Sequence, residues 1–272
     1  TCPHEWIIAT ANLANLWAYE QSPMETDPKV KLRLAIEAYE QALSLLQQDP
    51  AALKSPEVQY KLAQMQASLG GVYSNEALES EMQLDKAKDC YAEAGKVFTE
   101  DKYPMGWAQN QTEMGLVLVK QSRAQENQQE AVGLLDDAIK GFTDALKVYQ
   151  PKADARHWAL TTAYLADAYR EKGRKTDDQK MKWELLRDAV VGADAVMAHA
   201  PASCPDLDLA KVRQLCGDTY YDAGLLAGNN RRVLLGKARD AYQAALSTWN
   251  QYHYAFKQRA AQERLRNAQN AL

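Results

Sequence analysis

The chain has few glycine and phenylalanine residues, and it lacks an apolar run long enough to cross a membrane. Glycine and phenylalanine number only 13 and three among 272 residues. No segment alternates apolar and polar residues as a half-buried strand does. Alanine, leucine, glutamine and glutamate are abundant instead, which favours helix. The hydrophobic fraction of 46% is ample for a stacked core, although its longest runs are too short for a transmembrane helix.

The chain also lacks an excess of basic residues. Its formal net charge is −4 and its isoelectric point is about 5.7. Domains that bind nucleic acids usually concentrate positive charge to contact the phosphates. We therefore predict that nucleic acid is not a partner.

Cysteine is scarce and shows no zinc-binding or Cys-x-x-Cys spacing. Cys90 and Cys216 occupy small-residue positions of helices, so we expect both in the core. So few cysteines favour a reducing compartment such as the cytoplasm. Because the sequence starts at Thr1 rather than at methionine, an exported or excised form is the alternative, and the sequence leaves open whether Cys204 pairs with Cys216.

Residue patterns typical of catalysis or metal binding are missing. No histidine forms a His-x-x-x-His or Glu-x-x-His pair, and Gly236-Lys237 lacks the spacing and the following Ser or Thr of a phosphate-binding loop. The acidic pairs Asp136-Asp137 and Asp177-Asp178 do not extend into a metal-diphosphate motif. We therefore predict no enzymatic activity, no cofactor and no metal site.

One motif recurs about every fifty residues. In this motif a Leu or Met is directly followed by a small residue, and a bulky residue comes a few positions later. We call the Leu or Met the anchor, and the five anchors are Leu13, Leu69, Met114, Leu165 and Leu215. The intervals between anchors are 56, 45, 51 and 50 residues. A fixed period of this length predicts a solenoid of helical hairpins.

A second pattern keeps step with the first. It places Ala, an aromatic four residues later and Ala three residues after that, and its copies begin at Ala35, Ala87, Ala138, Ala189 (degenerate) and Ala238. Residues at this spacing share one helix face. We expect the small residues to let a neighbouring helix approach and the aromatic to fill the gap between hairpins.

Together these patterns resemble the tetratricopeptide repeat (TPR) family over nearly the whole chain. Residues 103–115, with Pro, Trp-Ala and Gln before Met114-Gly115, are similar to a bacterial long-repeat variant. The family's usual repeat is about 34 residues, so the period here is longer. The resemblance implies a right-handed α-solenoid whose first helices line a concave, protein-binding face.

Turn and capping residues divide the chain into eleven predicted helices. Five pairs over residues 1–249 are followed by a capping helix over 250–272 with a polar outer face, and all belong to one predicted domain, 1–272. The helix-opening signals include Asp27-Pro28, Ser55-Pro56 and Cys204-Pro205. Trp6, Trp107 and Trp158 share one phase of successive first helices, which favours core packing over an aromatic ligand cage.

The register of the resemblance also gives candidate partner-binding residues. On the expected concave face these are Asn15, Tyr19, Gln64, Asn75, Gln109, Lys120, Asp167, Arg170, Arg213, Tyr220 and Tyr221, with Thr112 and Glu171 beside them. Arg213, Tyr220 and Tyr221 have the side chains enriched at binding hot spots, although Tyr220 or Tyr221 could instead pack on the capping helix. The family's Lys, Asn and Arg clamp for acidic chaperone tails is not present.

These observations favour a scaffold that binds a peptide or a partner helix. Two alternatives remain at this stage. One is a sensor or regulatory TPR domain excised from a larger signalling or effector protein, and the other is a module that self-associates into a homo-oligomer. Fold resemblance alone does not identify the partner.

Overall fold

The fold is an all-α helical repeat, as the sequence predicted. A computed structural model of the chain describes residues 10, 12, 28–75, 80–199 and 204–272. Within these residues there are ten α-helices and no strand, and the helix bounds are Pro28–Gln47 (α1), Pro56–Tyr73 (α2), Glu81–Gly95 (α3), Pro104–Ala124 (α4), Gln128–Ala145 (α5), Ala155–Arg174 (α6), Gln179–His199 (α7), Asp206–Leu226 (α8), Arg231–Gln251 (α9) and Ala255–Ala271 (α10). The eleventh predicted helix, near the N-terminus, lies outside the described residues.

The helices begin where capping residues and prolines permit. Pro56 and Pro104 are the first residues of α2 and α4, positions where the missing amide proton costs no hydrogen bond. The Asn127 side chain accepts hydrogen bonds from two backbone amides at the start of α5, and Asp178 does the same for α7. Short 3₁₀ turns at Ala52–Lys54 and Gly228–Asn230 precede α2 and α9.

The second helix of each hairpin buries its small and aromatic pattern as predicted. All fifteen residues of the five copies are at most 1% exposed, and they are Ala35, Tyr39, Ala42, Ala87, Tyr91, Ala94, Ala138, Phe142, Ala145, Ala189, Ala193, Val196, Ala238, Tyr242 and Ala245. This ladder is therefore the spine of the core.

In two hairpins, the aromatic residue of this ladder packs on the first helix of its own hairpin. A methyl group at Gly70 of α2 would lie 3.0 Å from the Tyr91 ring of α3, and one at Gly217 of α8 would lie 2.6 Å from the Tyr242 ring of α9. A glycine one or two residues after the leucine anchor is thus the site of close helix approach in these two hairpins. In α7, where Ala193 replaces the aromatic, neighbouring Gly192 comes close to Ala166 of α6.

The chain divides into two compact units, Thr1–Ala124 and Gln125–Leu272. The division falls between α4 and α5, the two helices predicted to form the third hairpin. In the first unit, α1 to α4 pack in consecutive order around a core that includes Tyr39, Leu69 and Tyr91. The prediction of one continuous domain stays a prediction.

In the second unit, the first helices form a layer of their own. Helix α6 packs against α7 and α8, and α8 packs against α7, α9 and the terminal helix α10. Helix α10 buries Ala261, Leu265 and Ala268, whereas Glu263 and Arg266 are exposed. It therefore closes this end of the core as a cap with a polar outer face.

The cysteines in the described part of the chain are free and buried. Cys90, Cys204 and Cys216 are buried free thiols, and burial raises the pKa of each above its ordinary value. Cys204 and Cys216 are therefore not joined in a disulfide. None of the described helices combines the length and the apolar character needed to cross a membrane.

Candidate functional site

A buried ionic network links the first helices of the second unit. Its centre is Arg170 of α6, which is 4% exposed. The Arg170 guanidinium donates hydrogen bonds to Asp167 (2.6 Å) and Glu171 (2.7 Å) on its own helix, and to Asp222 of α8 (2.9 Å). Arg170 therefore hydrogen-bonds to three carboxylates on two successive first helices, α6 and α8.

The network continues to the cap through a fourth carboxylate, Asp218. Arg174 of α6 pairs with Asp222 at 2.7 Å. Asp218 pairs with Arg264 of α10 at 3.0 Å and accepts a hydrogen bond from the Tyr242 hydroxyl of α9 at 2.8 Å. Side chains from α9 and α10 thus meet at Asp218 of α8, and the positive charge of Arg170 on α6 also acts on that carboxylate.

Burial and charge compete in this network. Burial raises the pKa of Asp218, while Arg170, Arg264 and the Tyr242 hydrogen bond act to lower it. For Arg170, burial acts to lower the pKa, but the surrounding carboxylates outweigh it and hold the pKa well above its ordinary value. Arg170 therefore stays charged, and removing it would leave four acidic side chains with too little positive charge.

The accessible side of α8 is a narrow band that we call the α8 stripe. It consists of Lys211, Gln214, Tyr221, Asp222 and Leu225, which are half-buried or exposed. Lys211, Gln214, Tyr221 and Leu225 are separated by three, seven and four residues, which keeps them on one side of the helix, and Asp222 lies next to Tyr221 at the edge of that side. Lys211 lies 4.9 Å from the centre of the Tyr164 ring of α6, and the Gln214 carbonyl oxygen is buried without a hydrogen-bond partner in the described part of the chain. The stripe therefore combines charged, aromatic, amide and aliphatic groups.

The predicted site residues of the first unit lie on or after two of its helices. Gln64 of α2 and Gln109 of α4 are exposed, as is Asn75 just after α2. Lys120 of α4 is half-buried, and its ammonium donates to the backbone carbonyl of Ser74. Lys120 therefore joins α4 to the end of α2. The candidates Asn15 and Tyr19 lie outside the described residues.

The candidates of the second unit divide into buried and accessible residues. Asp167, Arg170 and Glu171 come together in the ionic network. Tyr220 is 2% exposed, and its hydroxyl donates to Asp194 of α7 at 2.8 Å. Tyr220 is therefore a helix-packing residue, bonded to the previous hairpin rather than to the cap. Arg213 and Tyr221 are half-buried, and the Tyr221 ring packs partly on the core.

Sequence reasoning missed Asp218, Asp222 and Arg264. A usable signal was present, since Arg170 and Arg174 are four residues apart, as are Asp218 and Asp222. The two pairs are separated by 48 residues, which is close to the repeat period. Matching opposite charges at that interval would have predicted ion pairs between successive first helices.

Two of the tryptophans pack on apolar clusters of the protein. Trp107 packs partly on a small cluster of Ala63, Ala94 and Phe98, and Trp158 packs partly on the core of the second unit. Trp6 lies outside the described residues. No group of three or more histidine, cysteine or acidic side chains is arranged to hold a metal ion in the parts of the chain that the structure covers.

Comparison with known proteins gives no family assignment. No protein-family model matches the chain, and no curated protein sequence matches it. Among solved structures, it is similar to BtubC (BKLC) from P. vanneervenii at 16% sequence identity and a TM-score of 0.37, over 90% of this chain and 92% of that one. A TM-score this low does not establish a shared fold or function.

Proposed function

We propose that this chain is a non-enzymatic, TPR-like scaffold that binds a peptide or partner helix along the first helices of its second unit. The observation that carries this proposal is the α8 stripe, the accessible side of a helix that is otherwise mostly buried. The stripe lies in a layer with α6 and α10 on either side.

The length and chemistry of the stripe suit an elongated protein ligand. From Lys211 to Leu225 it covers fourteen helical steps, or about 21 Å. An extended peptide of roughly six or seven residues, or four turns of a helix, would span this distance. Tyr221 and Leu225 supply apolar contact area, while Lys211 and Gln214 supply polar groups that would orient the ligand.

The ionic network supports binding indirectly. Arg170, Asp218 and Arg264 join α6, α8 and α10 by charge-assisted hydrogen bonds beneath the stripe. Helices held in this way lose little conformational freedom when a ligand docks, so less binding free energy is spent on ordering the protein. Arg170 and Asp167 are thus positioning residues of the binding surface and do not themselves contact the ligand.

Affinity capture from the native cell extract, with mass spectrometry, tests the proposal. The baits are the unchanged chain and a Lys211→Ala, Tyr221→Ala double variant, which should retain the helical circular dichroism signal. A control variant, Val191→Ala with Arg239→Ala, alters exposed residues on the second helices instead. We expect a partner that the unchanged chain and the control retain and the double variant loses. Equal capture by all three baits would contradict this site, and no specific partner would contradict the scaffold function.

A further inference from the structure

A second surface of the second unit exposes large apolar side chains. They lie where α6 turns into α7 and where α8 turns into α9, and the most accessible are Val233 (60%), Met181 (49%), Leu226 (48%) and Trp183 (38%). Both turns join the first helix of a hairpin to its second helix. Water-exposed apolar groups gathered at one place are typical of interaction sites.

Two of these side chains line a cleft. Trp183 of α7 and Leu226 of α8 lie on its walls, and residues 227–230 complete the lining. The cleft has a volume of about 360 Å³. Gly228 has no atom within 4 Å of the position where a side chain would begin, so the turn leaves the cleft open. The Asn229 and Asn230 side chains place amide donors and acceptors beside the apolar walls.

Basic side chains lie on both sides of the cleft, although Arg187 is ion-paired with Asp188 at 3.6 Å. Lys180 and Arg187 lie three residues before and four residues after Trp183, which places them on the same face of α7. Arg231 and Arg232 directly follow Asn230 on the opposite side. No hydrogen bond or ion pair engages the side chain of Lys180 or Arg232 within the described ranges, whereas the nearby Asp178 carboxylate accepts hydrogen bonds from two backbone amides of α7. The cleft is therefore flanked by unneutralised positive charge.

We propose that this cleft, which we call the turn cleft, docks a short acidic peptide through one large apolar side chain. The apolar side chain inserts between Trp183 and Leu226, and carboxylates on either side of it pair with Lys180 and Arg232. Asn229 and Asn230 hydrogen-bond to the peptide backbone. Charge complementarity selects the partner and speeds its association, and this proposal does not depend on the α8 stripe.

A peptide fits these features better than a lipid surface does. Trp183 and Leu226 line a depression, whereas side chains that enter a bilayer protrude from the protein. Paired asparagine amides are also suited to the alternating donors and acceptors of a peptide backbone. A vesicle of neutral and anionic phospholipids in a three-to-one ratio is therefore included in the test as a competing ligand.

The test begins with selection from a displayed library of random dodecapeptides on the full chain. We expect enriched sequences to contain one Leu, Phe, Met or Trp next to two or more Asp or Glu residues. The best peptide is then synthesised with a fluorescent label, and its affinity is measured by anisotropy for each variant. No enrichment, or enrichment of basic sequences, would overturn the proposal.

The variants locate the binding. Trp183→Ala, Leu226→Ala and Lys180→Glu should each weaken the selected peptide by about tenfold or more, and added salt should weaken it further. Val191→Ala, two turns along α7, should leave affinity unchanged, as should the Lys211→Ala, Tyr221→Ala double variant of the α8 stripe. Affinity that survives Trp183→Ala and Leu226→Ala together, or vesicle binding that depends on Trp183 while the peptide does not bind, would overturn the proposal.

Discussion

At the scale of single residues, Gly217, Asp218 and Tyr242 determine how α8 packs against α9. The absent side chain of Gly217 makes room for the Tyr242 ring, and the Tyr242 hydroxyl then donates to Asp218, the next residue after the glycine. Both ends of the tyrosine are thus held by adjacent residues of one helix. Burial and the neighbouring carboxylate raise the pKa of Tyr242, so the hydroxyl remains a donor at any physiological pH.

Gly217→Ala should lower the free energy of unfolding by about 1–3 kcal/mol, because the buried Tyr242 ring must move to admit a methyl group. The matched control is Gly236→Ala in α9, where no atom lies within 4 Å of the new methyl group. That change should raise stability by about 0.5–1 kcal/mol through helix propensity. Urea unfolding of both variants measures the difference, and equal effects would contradict the close packing of Gly217.

Arg170→Met should be among the most damaging single changes in the second unit. It leaves Asp167, Glu171, Asp218 and Asp222 buried or half-buried without their central cation, and breaking such a network costs about 3–5 kcal/mol. Since the stranded carboxylates can be neutralised by protons, the loss should be smaller at pH 4.5 than at pH 7. Arg239→Met, at an exposed ion pair, should change stability by less than about 0.5 kcal/mol at either pH.

The raised pKa of Asp218 predicts how the stability of the folded chain changes with pH. Because its pKa is raised in the folded chain, the folded state retains this proton at pH values where the unfolded state, with a pKa near 3.9, has lost it. Stability from this group is therefore present at low pH and lost as pH rises through the folded pKa. Asp218→Asn should gain stability relative to the unchanged chain between pH 4 and pH 7 in urea unfolding. A relative loss over that range would show that the pKa is lowered instead.

At the scale of helices, the repeat pattern predicts packing well and predicts exposure poorly. The second-helix ladder was confirmed in full, because small and aromatic residues at helical spacing identify a buried face without reference to any partner. Tyr220 and Arg170 show the limit. Their register placed them on an accessible face, but their partners Asp194 and Asp222 lie on other helices, and no local pattern indicates whether such a partner covers a side chain.

The terminal helix α10 should be the least stable helix of the second unit. It rests on Ala261, Leu265 and Ala268 and on the Arg264 ion pair, and its other side is polar. Leu265→Ala should cost about 2–3 kcal/mol of unfolding free energy and should increase hydrogen exchange first in α10. Leu272→Ala, at an exposed residue, should do neither, and unchanged exchange in α10 on Leu265→Ala would contradict the capping role.

At the scale of the whole molecule, the sequence predicted the class of fold and the order of the hairpins but not the division at residue 124. The period is continuous across that point, since Met114 and Phe142 occupy their regular places in α4 and α5. The extent of a compact unit depends on which residues share a core. A repeating motif looks the same in every hairpin, so it does not indicate where one core ends and the next begins.

Residues 125–272 should therefore fold when produced alone. The core cluster of this unit and every member of the ionic network lie within that range. Circular dichroism should show a helical fragment with a cooperative urea transition, and Arg170→Met should destabilise it as it does the full chain. A fragment with little helix, or without a cooperative transition, would contradict the independence of this unit.

Photo-crosslinking from the α8 stripe tests the proposed function most directly. A benzophenone amino acid is placed at Gln214 in one variant and at Val191, on the outer side of α7, in another, and each is irradiated in the native extract. We predict a discrete adduct from position 214, identified by mass spectrometry, and none from position 191. The same products from both positions, or none from position 214, would contradict binding on the first-helix layer.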